Sequence, residues 1–258
     1  MEIKQKRIFA FDGSPLNVNI KNGAPGKGFT LFCHGITADW SEEGFNTQIA
    51  DHFPDDHTCV FMEMRGHGGS PLGHSDFDVT SIVADVIRAF GFATEVSSSP
   101  RGNILAASFS SGASLLAAYE MRDRVGKIVL MNPRITYRYW LDDIEGWDSS
   151  SETFISDLRG GRIKKGDWVV GPALLNDLIT CNAWHVVHQL KNPILTFHGD
   201  SDTLVPDSES KSLAEISGAK FVSLPNVDHG IVPTDGADKY AIRERISEAI
   251  ADWLFANE

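Results

Sequence analysis

Short apolar runs alternate with amphipathic segments along most of the chain. The runs have the pattern of strands that are buried on both faces, and they cover residues 29–33, 58–62, 103–107, 127–131, 194–197 and 220–223. Apolar residues at helical spacing predict helices between them, at 42–52, 79–90, 111–120, 209–217 and 239–256. Residues 3–11 and 15–20 alternate around Asp12-Gly13, which predicts an N-terminal β-hairpin.

This alternation predicts an α/β fold, a mostly parallel sheet with helices on both faces. One segment interrupts it, because residues 133–190 contain no clear strand but hold four of the six tryptophans. A long segment of this kind inside an α/β chain is usually functional or separately folded. We therefore expect a core of residues 1–132 and 191–258, and an inserted cap at 133–190 after the sixth strand of the sheet.

Composition and charge narrow the function classes. A chain of 258 residues can bury a core without disulfides, and three cysteines do not suggest a disulfide framework. A net charge of −12 argues against binding to nucleic acid or to an anionic membrane surface. We see neither a secretory signal nor an apolar run of membrane-spanning length, so a cytoplasmic protein is expected. We also expect a monomer or a homodimer. No cofactor and no metal are predicted.

A serine-rich turn follows the apolar run at 103–107. Residues 108–112 read S-F-S-S-G and match small-x-Ser-x-small, the turn that projects a nucleophilic serine above a sheet edge. Ser111 would place the bulky Phe109 two residues before it, which this turn does not admit. Ser108 is sterically possible, but it lies nearer to the strand and lacks a glycine two residues later. Ser110 is therefore the predicted nucleophile.

A nucleophilic serine needs a base, and the base needs a carboxylate that orients it. Residues 198–206 read H-G-D-S-D-T-L-V-P and place Asp200 and Asp202 in a loop after a strand. Residues 226–230 read N-V-D-H-G and place His229 after the next strand. These loops lie at the carboxyl edge of a parallel sheet, where ligands bind. The order Ser, Asp, His is the one expected for such a fold.

Two further loops follow strands at the same edge. The turn that begins at His34-Gly35 can aim a backbone N–H at a substrate oxygen, and the residue after the nucleophile supplies a second donor. For Ser110 as nucleophile, that residue is Ser111. The loop R-G-H-G-G-S at 65–70 matches neither the P-loop nor the dinucleotide pattern, so we interpret it as a structural loop.

In these loops the sequence resembles the α/β-hydrolase superfamily. The segments that resemble it are F-C-H-G-I-T, M-R-G-H-G-G-S, S-F-S-S-G, H-G-D-S-D-T-L-V-P and V-D-H-G, in the family's order. Within the superfamily, H-G-I-T-A-D-W and the cap length are most similar to the cinnamoyl/feruloyl esterase and monoglyceride-lipase-like group. The resemblance implies a triad of Ser110, Asp202 and His229. It also implies an oxyanion hole formed by the backbone N–H groups of Ile36 and Ser111.

The predicted cap is rich in aromatic residues that can wall a substrate pocket. Flat rings supply apolar area, and their N–H and O–H groups supply polar contacts. The candidates for substrate binding are Tyr137, Trp140, Trp168 and Trp184, and Trp147 lies in the same segment. For each of them, anchoring of the cap to the sheet is an equally good explanation.

These features predict a serine hydrolase that cleaves a carboxylic ester with a small or aromatic acyl part. A thioesterase, an acyltransferase or a biosynthetic lyase with the same triad is the alternative. A basic cluster in the cap favours it, because such a cluster suits a phosphate of an acyl-thioester; its members are Arg159, Arg162, Lys164 and Lys165. A non-catalytic binding protein with the hydrolase fold is a third interpretation. The predicted partner is a small-molecule ester or thioester.

Overall fold

The computed structural model describes residues 2–141, 152–161, 163–165 and 168–256. Its main sheet has eight strands: β1 (Lys4–Phe9), β2 (Pro15–Lys21), β3 (Phe29–Cys33), β4 (Thr58–Met62), β5 (Gly102–Ala107), β6 (Val125–Met131), β9 (Ile194–Gly199) and β10 (Lys220–Leu224). Two short antiparallel strand pairs lie outside it: β7 (Lys164–Lys165) with β8 (Trp168–Val169), and β11 (Val227–Asp228) with β12 (Val232–Pro233). All strands predicted from apolar runs are present.

The sheet order is β1-β2-β4-β3-β5-β6-β9-β10. The N-terminal hairpin pairs antiparallel and joins β4 antiparallel, while β4, β3, β5, β6, β9 and β10 run parallel. The helices are α1 (Phe45–Asp51), α2 (Val79–Ser97), α3 (Ser110–Glu120), α4 (Glu152–Arg159), α5 (Pro172–Thr180), α6 (Trp184–Val187), α7 (Ser208–Ser217) and α8 (Lys239–Phe255). The prediction of a mostly parallel α/β sheet is confirmed.

Alternate residues of the central strands enter different cores. Leu31 and Ile104 belong to the cluster that includes residues of α2 and α3, whereas Phe32 and Leu105 belong to the cluster under α1 and α8. Successive side chains of a strand point to opposite faces, so a strand covered on both faces has no polar side. This explains why the strands read as continuous apolar runs.

Local signals fix the helix starts. The N-cap Asp78 of α2 accepts the N–H of Ser81 (2.7 Å), and the N-cap Asp238 of α8 accepts the N–H of Tyr240 (2.9 Å). Both carboxylates satisfy donors that the first helical turn leaves unpaired. Within the described residues, no helix has the length and hydrophobicity needed to span a membrane.

The loop R-G-H-G-G-S is held by a buried ion pair. Arg65 makes a two-point contact with Asp85 of α2, with distances of 2.7 Å from Nε to Oδ2 and 2.6 Å from Nη2 to Oδ1. Its Nη1 also donates to Asp12 at the tip of the first hairpin (3.0 Å). A bidentate pair of this kind gives a fixed geometry. The guanidinium therefore ties this loop to α2 and to the hairpin.

A buried histidine makes stability sensitive to acid. The His57 ring is buried, its Nε2 lies 3.0 Å from Thr30 Oγ1, and burial lowers its pKa from 6.5 to about 4. Between these values the unfolded chain binds more protons, so this site loses stability as pH falls from about 6.5 to about 4. We expect His57→Gln to remove about 2 kcal/mol of the loss in unfolding free energy between pH 7 and pH 5.

Urea unfolding at both pH values measures this effect. The quantity of interest is the difference between the two pH values, because His57→Gln also changes stability by itself. His188→Gln, at an exposed histidine, is the matched control. An unchanged pH difference in His57→Gln would show that His57 takes up its proton equally well in the folded chain.

Candidate active site

Ser108 lies in a tight turn between β5 and α3. Its φ is 49°, in the left-handed region that residues other than glycine rarely adopt. Its N–H donates to Met131 O (2.9 Å), and its carbonyl accepts the N–H groups of Ser111 (3.1 Å) and Arg134 (3.0 Å). These bonds to neighbouring elements hold the strained turn, and strain of this kind concentrates at functional sites.

The Ser108 hydroxyl faces the imidazole of His229. Its Oγ lies 2.9 Å from Nε2, and the other ring nitrogen, Nδ1, lies 2.8 Å from Oδ2 of Asp202. An ionised carboxylate only accepts hydrogen bonds, so Nδ1 carries the ring proton. Nε2 is then free to accept the serine proton, which is the arrangement of a nucleophile, a base and an orienting acid.

Several donors keep Asp202 ionised. Its Oδ1 accepts the N–H groups of Leu204 (2.9 Å) and Val205 (2.8 Å), and its side chain is fully buried. Burial alone would raise the pKa of Asp202, but hydrogen bonds from His198 and His229 and the N–H of Val205 hold it well below its usual value. The carboxylate can therefore stabilise a positive charge on the imidazole.

Two other aspartates fix the loops and do not contact the His229 ring. Asp228 Oδ1 accepts the N–H of Thr203 (2.7 Å) and the backbone N–H of His229 (2.7 Å), so it joins the acid loop to the base loop. Asp200 Oδ1 accepts the N–H of Asn226 (2.8 Å). Sequence reasoning did not identify these roles, because they depend on contacts between separate loops.

The prediction that Ser110 contacts His229 is wrong. Ser110 is the first residue of α3 and is fully buried, and its Oγ donates to Cys33 O (2.9 Å) and Ala107 O (3.0 Å). The strand ends at Ala107, so the sharp turn comes directly after it, at Ser108. The small residues that this turn requires are then Ala106 and Ser110.

The glycine that favoured Ser110 has a different purpose. A Cβ at Gly112 would lie 2.8 Å from Tyr137 Oη and 2.9 Å from its Cζ, closer than real Cβ atoms approach, and 3.0 Å from Arg134 O. Gly112 therefore makes room for the segment that follows β6. The motif offered a glycine at the expected spacing, but the contact that requires it lies outside the turn.

The turn after β3 presents a backbone donor to the cavity. Met64 N–H donates to His34 Nε2 (3.0 Å), so His34 Nδ1 carries the ring proton and donates to Gly35 O (2.8 Å). This bond fixes the peptide between Gly35 and Ile36 at its carbonyl end. In a trans peptide the N–H points the opposite way. In the described part of the chain, the Ile36 N–H meets no acceptor.

Ser111 is wrong as the second donor, because its N–H is used by Ser108 O within the turn. The residue after Ser108 is Phe109, whose N–H meets no acceptor among the described residues. Ser111 was predicted only because it follows Ser110, so the donor changes when the nucleophile is Ser108. The rule that the second donor follows the nucleophile then selects Phe109.

Ser108 and His229 open onto a cavity of about 880 Å³. Trp140 and Trp168 from the predicted cap line it, together with sheet-edge residues such as Ile36 and Val205. A volume of this order accommodates a small organic molecule. Part of the segment 133–190 therefore forms one wall above Ser108.

Two of the predicted cap aromatics do not line the cavity. Tyr137 is fully buried, and its Oη accepts Ala113 N–H (2.6 Å) and donates to Phe109 O (2.9 Å), so it supports the start of α3. Trp184 Nε1 donates to Thr136 Oγ1 (2.9 Å). Both anchor the segment, as the alternative explanation held. Trp147 and Arg162 lie outside the described residues.

A family model described as "Alpha/beta hydrolase family" matches residues 30–243. The chain belongs to this family. The match includes every loop of the candidate site, from the turn after β3 to the loop that carries His229. A comparison with curated proteins found no match.

Solved structures with the same fold include several esterases and another α/β hydrolase. Est1E from Butyrivibrio proteoclasticus with ferulic acid bound has a TM-score of 0.75 and 19% identity, over 97% of this chain and 98% of that one. The esterase domain from a Rhodothermus marinus protein has a TM-score of 0.69 and 17% identity, over 98% of both chains. The α/β hydrolase GrgF from Penicillium sp. sh18 has a TM-score of 0.73 and 14% identity, over 99% and 100%. At these identities the likeness establishes the fold.

Proposed function

We propose that this α/β hydrolase cleaves carboxylic esters through an acyl-enzyme on Ser108. The observation that carries the proposal is the 2.9 Å contact between Ser108 Oγ and His229 Nε2, made from a strained turn that faces the cavity. A serine held in this way has its base in place and its hydroxyl directed at a bound substrate. Esterases among the solved structures with this fold add support.

The geometry supports a two-stage reaction. Ser108 Oγ attacks the ester carbonyl while His229 Nε2 takes the hydroxyl proton, and Asp202 stabilises the imidazolium. The carbonyl oxygen becomes an anion that the N–H groups of Ile36 and Phe109 can bind. Collapse breaks the bond to the alcohol, which receives the proton from His229. Water activated by His229 then cleaves the acyl-enzyme and releases the acid.

The cavity supports a small or aromatic substrate. Trp140 and Trp168 supply flat apolar surface on the cap side, where an aromatic acyl group can pack. Est1E has been solved with ferulic acid bound, and it has the same fold. These observations support a carboxylesterase as the proposed activity, with hydroxycinnamate esters in the test panel, and residues 133–190 are the proposed cap.

The thioester alternative gains no support from the cavity. Arg159 and Lys164 of the basic cluster are exposed and are not among the residues that line it. Acyl-thioesters belong in the same panel as p-nitrophenyl and hydroxycinnamate esters. Faster turnover of thioesters would favour the alternative.

A fluorophosphonate probe tests the proposal directly, because it reacts with activated serines. We expect one label per chain, located by mass spectrometry on Ser108, and retained in Ser110→Ala. Hydrolysis of p-nitrophenyl esters should be lost in parallel with labelling. A label on Ser110, or the absence of any label from a folded protein, would contradict the proposal and, in the second case, favour a non-catalytic binding protein.

A further inference from the structure

Glu42 brings a carboxylate to the wall of the active-site cavity. It lies in the loop between β3 and α1, lines the cavity together with Ser108 and His229, and accepts the N–H of Gly35 with its Oε1. A Cβ built on Gly35 would lie 3.3 Å from Glu42 Oε1 and 3.3 Å from Ser108 Cβ. The carboxylate and the serine therefore flank the same glycine, next to the turn that presents the Ile36 N–H.

The backbone is strained where this side chain enters the cavity. Glu42 and Glu43 have φ values of 50° and 55°, and Gly44 follows with 83°. Two successive left-handed residues that are not glycine are uncommon, and they persist only when their surroundings hold them. Here Phe45 N–H donates to Glu42 O (3.0 Å) and Thr47 Oγ1 donates to Gly44 O (2.7 Å). These contacts hold the loop in a conformation that costs free energy, and in that conformation the Glu42 side chain faces the cavity.

The charge of Glu42 has no ion-pair partner in the described part of the chain. The adjacent Glu43 is paired with Lys239 (2.7 Å) and Arg243 (3.2 Å), so those two basic groups of the cavity wall are already engaged. Glu42 Oε2 meets no donor among the described residues. Burial raises the pKa of Glu42, while the N–H of Gly35 and the charges of His229 and Arg243 act in the opposite direction.

We propose that Glu42 is a specificity-determining residue that favours esters with a cationic ammonium group close to the scissile bond. The inference rests on the proposed ester hydrolysis at Ser108. A carboxylate beside the oxyanion hole repels the developing oxyanion, and a substrate cation offsets this repulsion. The cation also gains attraction in a cavity where charges are poorly screened. The net charge of −12 draws cations toward the protein.

Pairs of esters that have the same shape and differ only in the positive charge of the substrate test this proposal. On the alcohol side, choline butyrate is compared with 3,3-dimethylbutyl butyrate, which has the same shape without the charge. On the acyl side, p-nitrophenyl β-alaninate is compared with p-nitrophenyl butyrate. We expect the wild type to prefer the cationic ester of at least one pair on the order of ten-fold in kcat/KM. The pair that shows the preference identifies the side on which Glu42 acts.

Glu42→Gln keeps an acceptor for Gly35 N–H and removes the charge, so the preference should fall to near one. Glu248→Gln is the matched control, because this exposed carboxylate of α8 is not among the residues that line the cavity, and it should keep the wild-type ratio. Equal ratios in the wild type and Glu42→Gln would overturn the proposal, as would an equal loss of preference in Glu248→Gln.

A binding measurement separates this proposal from the proposed function. Calorimetry of Ser108→Ala with both members of the pair that shows the preference should show tighter binding of the cationic ester, and the added substitution Glu42→Gln should remove the difference. If neither member of either pair is hydrolysed, the proposed function fails. If the esters are hydrolysed and the binding and turnover ratios are insensitive to Glu42, only the role of Glu42 fails.

Discussion

Ser108→Ala is expected to reduce kcat for ester hydrolysis by about 10⁶-fold, the order of loss found when a triad nucleophile is removed. The substitution deletes the atom that lies 2.9 Å from His229 Nε2 and leaves the other members of the site in place. KM should change little, because the cavity keeps its walls. Stopped assays with p-nitrophenyl esters measure the rate, and circular dichroism checks that the fold is intact.

Ser110→Ala is the matched control two residues along the chain. Its hydroxyl donates to Cys33 O and Ala107 O and does not reach His229, so we expect kcat to stay within about ten-fold of the wild type. Loss of buried hydrogen bonds should instead lower stability by about 1–3 kcal/mol. An inactive, folded Ser110→Ala beside an active Ser108→Ala would reverse the assignment.

The fold was predictable from the sequence because its signals are local. An apolar run such as residues 29–33 is bounded by turn residues, and the structure has a strand over the same residues, Phe29–Cys33. The loops that carry Asp202 and His229 follow such strands, so their position at one sheet edge also follows from local pattern. Beyond the local pattern, placing these two loops together needed only the rule that the carboxyl ends of parallel strands lie at the same edge of the sheet.

Which serine faces His229 was harder to predict, because two serines satisfy the same steric rule. The rule asks for small residues at two positions, and both Ser108 and Ser110 meet it. Gly112 decided the choice, but the steric demand for a glycine at that position comes from Tyr137, a contact between segments 25 residues apart. The strand end at Ala107 was the better signal, because the turn must begin where the pairing with β6 ends.

The cap aromatics show the same limit. Tyr137 and Trp140 are three residues apart in one 3₁₀ helix (Tyr137–Leu141), yet the first supports α3 and the second lines the cavity. Composition can identify a segment rich in aromatic residues, but it cannot say which rings face a partner element and which face a cavity. That choice depends on how the segment packs on the sheet.

Asp202→Asn is expected to lower kcat by about 10⁴-fold at neutral pH while the site keeps its shape. Asparagine can still accept the N–H groups of Leu204 and Val205, so the loop should hold. Its amide donor, however, would face His229 Nδ1 and favour the tautomer with the proton on Nε2. That nitrogen could then no longer accept the proton of Ser108. Rates with a p-nitrophenyl ester across pH 6–9 measure the loss.

Asp200→Asn and Asp228→Asn are the matched controls, since both carboxylates accept backbone N–H groups and neither contacts the His229 ring. Asparagine retains an acceptor oxygen at each position, so activity should stay within about ten-fold of the wild type. Thermal unfolding separates the two kinds of role, because Asp228 joins the acid and base loops and should affect stability more than chemistry. A loss of activity in Asp200→Asn or Asp228→Asn as large as that in Asp202→Asn would mean that ordering of the loops, and not the charge beside His229, limits the reaction.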